Sequence, residues 1–364
     1  MSFISDLFVG VLVGYIAFTN SLATGITNII TPAEVPAEET ILVEEVTESE
    51  SFLTQLPSRL SAIPDVLLKS AAYQQASLGD AIGIDEPTVT NPIDAIVNIY
   101  CTFRTPTTIR TTTGTGFFVD ADGVIMTNAH VAQFLLLAEA DDQGDAECTV
   151  RTGNPATPTY TADLLYIPPA WLQENAAILN DAVPMGTGER DYALLYVNGS
   201  TNGTILPEVF PALSYDTDYL STSVRNDDVI AAGYPAGELL RGGSNTDLIP
   251  RSAETSISEL YTFGSNKADV FSIRGSVVGA EGASGGPIVN EDGEVIGMIV
   301  TRGDDTADGA GSLRAITLSH VNSTILEETG FALDGHLDGD IALRSEVFSE
   351  TLTPFLLTIL QNGG

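Results

Sequence analysis

GAEGASGGPIVNEDGEVIGMIV, Gly279–Val300, gathers four glycines around Ser284 and then runs into an apolar strand. A glycine held in a fixed element is about 0.5–1 kcal/mol less favourable than alanine. Such a cluster is therefore either a surface turn or a place where the backbone must bend tightly around one hydroxyl. The segment PIVNEDGEVIGMIV reads as a β-hairpin, because two apolar runs flank Asp292-Gly293, a favoured turn pair. Working outward, the same texture reaches back to Asn91. The runs IVNIYCTF, GTGFFVDADGVIMTNAH, AECTVRT, DYALLYV, DVIAAGYP, DVFSIRGSVV, EVIGMIVT and SLRAITLSHV are short, β-rich and separated by Gly, Asp, Asn and Pro. A second Asp-Gly pair falls at Asp122-Gly123. Many short strands at this spacing predict an all-β sandwich or a pair of barrels. The helical pieces are few: VAQFLLLAEA after His130, WLQENAAILND, and the C-terminal SETLTPFLLTILQ.

Charge narrows the function classes. The 364 residues carry 49 acidic against 14 basic side chains, a formal net charge of −35. That surface repels phosphate backbones and excludes nucleic acid as a partner, while salt or calcium screens its self-repulsion. Cys101 and Cys148 fit neither a zinc site nor a CxxC redox motif. They are either one disulfide between strands in an oxidising compartment or two buried thiols. In Gly303–Ser312, Asp304, Thr306, Asp308 and Gly309 have the spacing of a calcium loop, but Ala315 stands where the bidentate carboxylate belongs. A solvated acidic loop is the preferred reading, and no metal or cofactor is expected.

Residues 7–33 carry no charge, and LFVGVLVGYIAF followed by SLA has the form of a secretory h-region and cleavage site. MSFISD lacks the basic residues of a signal n-region, and the uncharged stretch is long enough to remain as a membrane anchor. The chain is expected to divide into a signal peptide or anchor (1–30), an acidic linker and extension (31–90), a β-rich domain (91–330) and a helical extension (331–364). Within 52–90, SRLSAIPDVLLKSAAYQQAS reads as an amphipathic helix interrupted by Pro64.

Three short contexts carry the chemistry. TNAHVA holds His130, one of three histidines, where a strand gives way to a helix. RDYALLYV puts Asp191 at the mouth of an apolar strand. Taken singly, each is an ordinary structural residue. With Ser284 they make a set: a serine hydroxyl needs an imidazole to take its proton, and a carboxylate must fix the imidazole's tautomer. The tetrahedral intermediate then needs backbone N–H donors. Gly282 permits the bend that aims its own N–H and that of Ser284 into one hole, and Gly285 and Gly286 keep bulk away from the hydroxyl.

TNAHV, DYALL and GASGGPIV, in that order, resemble the trypsin-like serine proteases of the HtrA/Deg branch, without a PDZ segment. The likeness covers about residues 92–325, with VIAAGYPAG and GSLRAITLSHV resembling strands of the second barrel. It implies two six-stranded antiparallel β-barrels with the site in the cleft between them. It carries over His130 as general base, Asp191 as its orienter, Ser284 as nucleophile, and the N–H groups of Gly282 and Ser284 as oxyanion hole. Ala283 replaces the aspartate that pairs with a new N-terminus in digestive relatives, so that form of activation has no partner here. The segment between His130 and Asp191 is enlarged. The substrate pocket is expected near Val278, Val300, Thr301 and Arg302, and with no acid at Val278 it favours small or medium apolar side chains. Substrates are proteins or peptides. Two rivals remain: a catalytically silent protease-fold scaffold, and an α/β-hydrolase reading of GASGG that would draw on Asp304, Asp308, His320 and His336.

Overall fold

A computed structural model of the chain describes residues 73, 88–104, 109–139, 146–175, 188–237, 247–274, 278–279, 281–302 and 312–363. The signal or anchor segment, nearly all of the 31–90 extension with its expected helix, most of the calcium-like loop and the end of WLQENAAILND lie outside these residues.

Twelve strands close into two six-stranded antiparallel barrels, as expected. After a short helix α1 (Pro92–Ala95), the first barrel comprises β1 (Ile96–Arg104), β2 (Ile109–Phe118), β3 (Val124–Thr127), β4 (Ala146–Thr152), β5 (Thr157–Tyr166) and β6 (Ala193–Ser200). The second comprises β7 (Asp228–Gly233), β8 (Arg251–Tyr261), β9 (Val270–Ile273), β10 (Pro287–Val289), β11 (Val295–Arg302) and β12 (Leu313–Thr317). Their spatial orders are β1-β2-β3-β6-β5-β4 and β10-β11-β12-β9-β8-β7.

Both Asp-Gly pairs close hairpins, β2–β3 and β10–β11, with Gly123 at φ 96° and Gly293 at φ 84°. Each turn is longer than two residues, and an upstream side chain caps it: Asp120 accepts from the Asp122 N–H and Asn290 from the Asp292 N–H. Cys101 and Cys148 stand opposite each other on β1 and β4 and form a disulfide.

Two strands escape the sequence pattern. TPTYTADLLY (β5) and RSAETSISELY (β8) are rich in Thr, Ser and Glu and partly exposed. Register shifts at Thr161/Ala162, Leu164/Tyr166 and Ile257/Glu259 break their two-residue alternation. LSHV, expected to finish a closing strand, instead opens helix α4 (Leu318–Thr329), which follows α2 (Ala129–Glu139) and α3 (Pro169–Asn175). Thr317 ends β12 and caps α4, its Oγ1 accepting from the His320 N–H at 3.1 Å. Gly330, at φ 88°, terminates it.

Three further helices follow, α5 (Leu333–Leu337), α6 (Ile341–Thr351) and α7 (Thr353–Gly363). α6 lies on β5, where Ser345 Oγ donates to the Leu164 carbonyl at 3.1 Å. α7 packs on α2 and α3. Glu139 of α2 accepts from Ser349 and Thr353. His336, on α5, is buried, with Thr329 Oγ1 2.9 Å from its Nε2, and Arg344 donates to the His336 carbonyl. No described helix is long and apolar enough to cross a membrane.

Burial, reinforced by the Arg344 charge, brings the His336 pKa down to about 3 from its usual 6.5. Between those values the unfolded chain binds a proton that the folded chain does not. Tm should therefore fall as pH drops from about 6.5 toward 3, and His336→Gln should flatten that slope in a pH series of thermal melts. Reducing the disulfide, whose cysteines are 47 residues apart, should lower stability by about 2–4 kcal/mol in denaturant unfolding.

Candidate active site

Strand register explains how TNAH and RDYALL meet. β3 and β6 are antiparallel, with Thr127 opposite Ala193, so the residues just after one and just before the other lie side by side. His130, near the start of α2, and Asp191, before β6, are both buried there. Asp191 Oδ2 is 2.8 Å from His130 Nδ1, and Oδ1 accepts from the His130 backbone N–H at 2.9 Å. One carboxylate thus holds both the ring and the chain that bears it. It selects the tautomer with the proton on Nδ1 and leaves Nε2 as a base. Asn128 Nδ2 donates to the Asp191 carbonyl at 2.8 Å, and Gln133 Nε2 to the His130 carbonyl at 2.9 Å.

Ser284 is on the second barrel's loop before β10, and a threonine of the first barrel fastens that loop. The Thr115 N–H donates to the Ser284 carbonyl at 2.8 Å. Its Oγ1 donates to the Gly282 carbonyl at 2.6 Å and accepts from the Tyr234 N–H at 2.9 Å. Thr127 Oγ1 donates to the Thr115 carbonyl at 2.7 Å, tying the clasp to the strand that leads to His130. The sequence signal for Thr115 is slight, a threonine between two glycines in GTGFF.

The glycines have a different role from the one expected of them. A Cβ on Gly285 would come within 1.9 Å of the Thr115 carbonyl oxygen, and one on Gly286 within 2.1 Å of that of Ala232. These two residues admit neighbouring backbone rather than clear space around the hydroxyl. Gly282, at φ 92°, takes the bend. Its N–H and that of Ser284 form no hydrogen bond among the described residues. The Ser284 hydroxyl makes a long contact, 3.4 Å, to the Val300 carbonyl, and no hydrogen bond joins it to His130 among the described residues.

Around the expected substrate pocket, Val278 is buried in the second barrel's apolar cluster. Thr301 and Arg302 pair with Arg314 and Leu313 across β11–β12. Val300 instead lines a hollow with Gly188, Tyr261, Phe263, Val270 and Ile316, and Arg314 joins them. His320 and His336, the histidines of the α/β-hydrolase reading, are engaged with Asp269 and Thr329, and the paired barrels rule that fold out. Among the described residues no three His, Cys, Asp or Glu side chains converge as a metal site requires.

Thr115→Val would leave the Gly282 carbonyl and the Tyr234 N–H without their partner. Each such loss costs about 1–3 kcal/mol, measurable by denaturant unfolding. The accompanying drift of the serine loop should lower kcat about 10–100-fold in steady-state assays.

A model of the trypsin-like peptidase domain matches residues 114–298. No curated protein matches the chain. Among solved structures, the Rv3671c protease from M. tuberculosis in its active form is 18% identical, covering 83% of this chain and 96% of that one, with a TM-score of 0.39. An inactive form of Rv3671c from M. tuberculosis H37Rv, a serine-to-alanine mutant, is 23% identical over 68% of this chain and 92% of its own, also with a TM-score of 0.39. With the family match spanning half its length, the chain belongs to the trypsin-like peptidases and is a serine protease acting on proteins or peptides.

Proposed function

We propose that the protein is a serine endopeptidase that works through an acyl-enzyme on Ser284, with His130 as general base and Asp191 as its orienter. The observation that carries this reading is the doubly bonded His130–Asp191 pair, at 2.8 and 2.9 Å, across from a serine loop clasped by Thr115. Rotation about the Cα–Cβ bond of Ser284 exchanges its weak contact with the Val300 carbonyl for His130 Nε2. The imidazole then takes the hydroxyl proton as Oγ attacks the substrate carbonyl. Negative charge develops on the carbonyl oxygen, where the unbonded N–H groups of Gly282 and Ser284 stabilise it. The imidazolium returns the proton to the leaving amine, and a water molecule repeats the cycle in reverse to release the acid.

Ala283, where digestive relatives have an aspartate, favours an enzyme that is competent without a new N-terminal ion pair. The Cys101–Cys148 disulfide favours an oxidising compartment. With the apolar, charge-free residues 7–33, it supports export, either by a cleaved signal or with the N-terminal segment kept as a membrane tether.

Hydrolysis of casein and of a peptide library tests the assignment. Ser284→Ala and His130→Ala should each lower kcat/KM at least about 10³-fold, with Asp191→Asn falling in the range of about 10³–10⁴. A wild-type protein that cleaves nothing would favour the silent scaffold. Full activity in Ser284→Ala would refute the nucleophile.

A further inference from the structure

Outside the proposed triad, a second buried His–Asp pair has no part in the chemistry. Asp269 and His320 are 3% and 8% exposed, and His320 Nδ1 is 3.1 Å from Asp269 Oδ1. The pair is far from idle structurally. Asp269 Oδ2 accepts from the Phe263 N–H at 2.7 Å and from Thr262 Oγ1 at 2.9 Å, and its Oδ1 accepts from Ser265 Oγ at 2.8 Å. The His320 ring then lies 5.2 Å from the Phe263 ring. Burial alone would push the Asp269 carboxyl up, but hydrogen bonds from Phe263, Ser265, Thr262 and His320 outweigh it and hold the group below its usual range. These contacts fix one turn, and that turn holds Phe263 partly exposed, at 38%.

Phe263 faces the hollow that Val300 lines. The hollow borders the catalytic elements on two sides. Val300 contacts the Ser284 hydroxyl through its carbonyl, and Gly188 precedes Asp191 in the same turn. A Cβ on Gly188 would stand 3.7 Å from both Phe263 and Val300, so the missing side chain keeps the space open. β10 and the Gly285-Gly286 backbone before it pair with β11 only as far as Ile299, so an extended peptide has a strand edge to follow from Val300 onward. The acyl half of a substrate stays bonded to Ser284 and its leaving half must face His130 on the first barrel. The hollow, built mostly from β8, β9, β11 and β12, is therefore on the acyl side.

We propose that this hollow receives a bulky apolar side chain, such as Leu or Phe, from the acyl side of the substrate, and that Asp269 and His320 are positioning residues that hold its Phe263 wall. The inference rests on the serine-endopeptidase reading and adds the substrate class. Its walls of Phe263, Tyr261, Val270, Val300 and Ile316 offer apolar contact, while the exposed Arg314 disfavours a basic occupant.

The test scans each acyl-side position of a cleaved peptide through Ala, Leu, Phe and Lys, with wild type, Phe263→Ala, Phe263→Leu, His320→Ala and His320→Gln. In wild type, one position should prefer Leu or Phe over Ala by about 10–200-fold in kcat/KM. Phe263→Ala should abolish most of that preference, chiefly through KM, and Phe263→Leu should restore part of it. His320→Ala should mimic Phe263→Ala, and His320→Gln, which keeps an N–H for Asp269, should retain the preference. If His320→Ala does not fold, Phe263→Ala and His320→Gln decide. A preference untouched by Phe263→Ala overturns the pocket, and an equal kcat loss on every peptide in the His320 variants overturns the positioning role. No cleavage of any peptide by wild type would instead be a failure of the endopeptidase reading.

Discussion

The hydrogen bonds of Thr115 tie the serine loop of the second barrel to the first barrel. Its backbone N–H, its carbonyl and its hydroxyl are all engaged, with Ser284, Thr127, Gly282 and Tyr234. Three of the four partner groups, those of Ser284, Gly282 and Tyr234, belong to the backbone, so the clasp sets where the serine loop runs, not merely which side chains touch. It also explains the glycines. Gly285 must be bare because the Thr115 carbonyl occupies the space of its Cβ. The approach to Ser284 is thus fixed by barrel contact.

The His130–Asp191 half depends on a different constraint, the register of β3 against β6. Two chain segments 61 residues apart need no loop of their own to meet, because the ladder aligns their ends. The enlarged segment between them returns to the first barrel as β4, β5 and α3, and the C-terminal helices α6 and α7 cover that flank. Arg190, the residue before Asp191, adopts a positive φ of 55° and pairs with Glu328 of α4 at 3.0 Å. The turn that carries Asp191 is therefore held from α4 as well as from β6.

Much of this was legible in the sequence where the signal is local. Apolar runs, Asp-Gly turns and the three short contexts around His130, Asp191 and Ser284 depend on neighbours in the chain, and they pointed to the double barrel and to the His130–Asp191 pair that the structure draws together. What was not legible depends on partners distant in sequence. β5 and β8 hide behind bulges that scramble their alternation. α4 follows β12 without a break, so only Thr317 and Gly330 mark its ends. Thr115 looks like any threonine until Gly282 is beside it. The hollow beside Val300 was not legible for the same reason: Gly188, Phe263 and Ile316 line it from segments far apart in the chain.

The most direct measurement is a crystal structure of the protein after reaction with a fluorophosphonate. The adduct should be on Ser284 Oγ, with its phosphoryl oxygen about 2.7–3.1 Å from the backbone nitrogens of both Gly282 and Ser284. His130 Nε2 should lie within about 2.6–3.2 Å of Oγ. An adduct whose oxygen points away from those two N–H groups, or a His130 ring out of reach of Oγ, would contradict the proposed relay and its oxyanion hole.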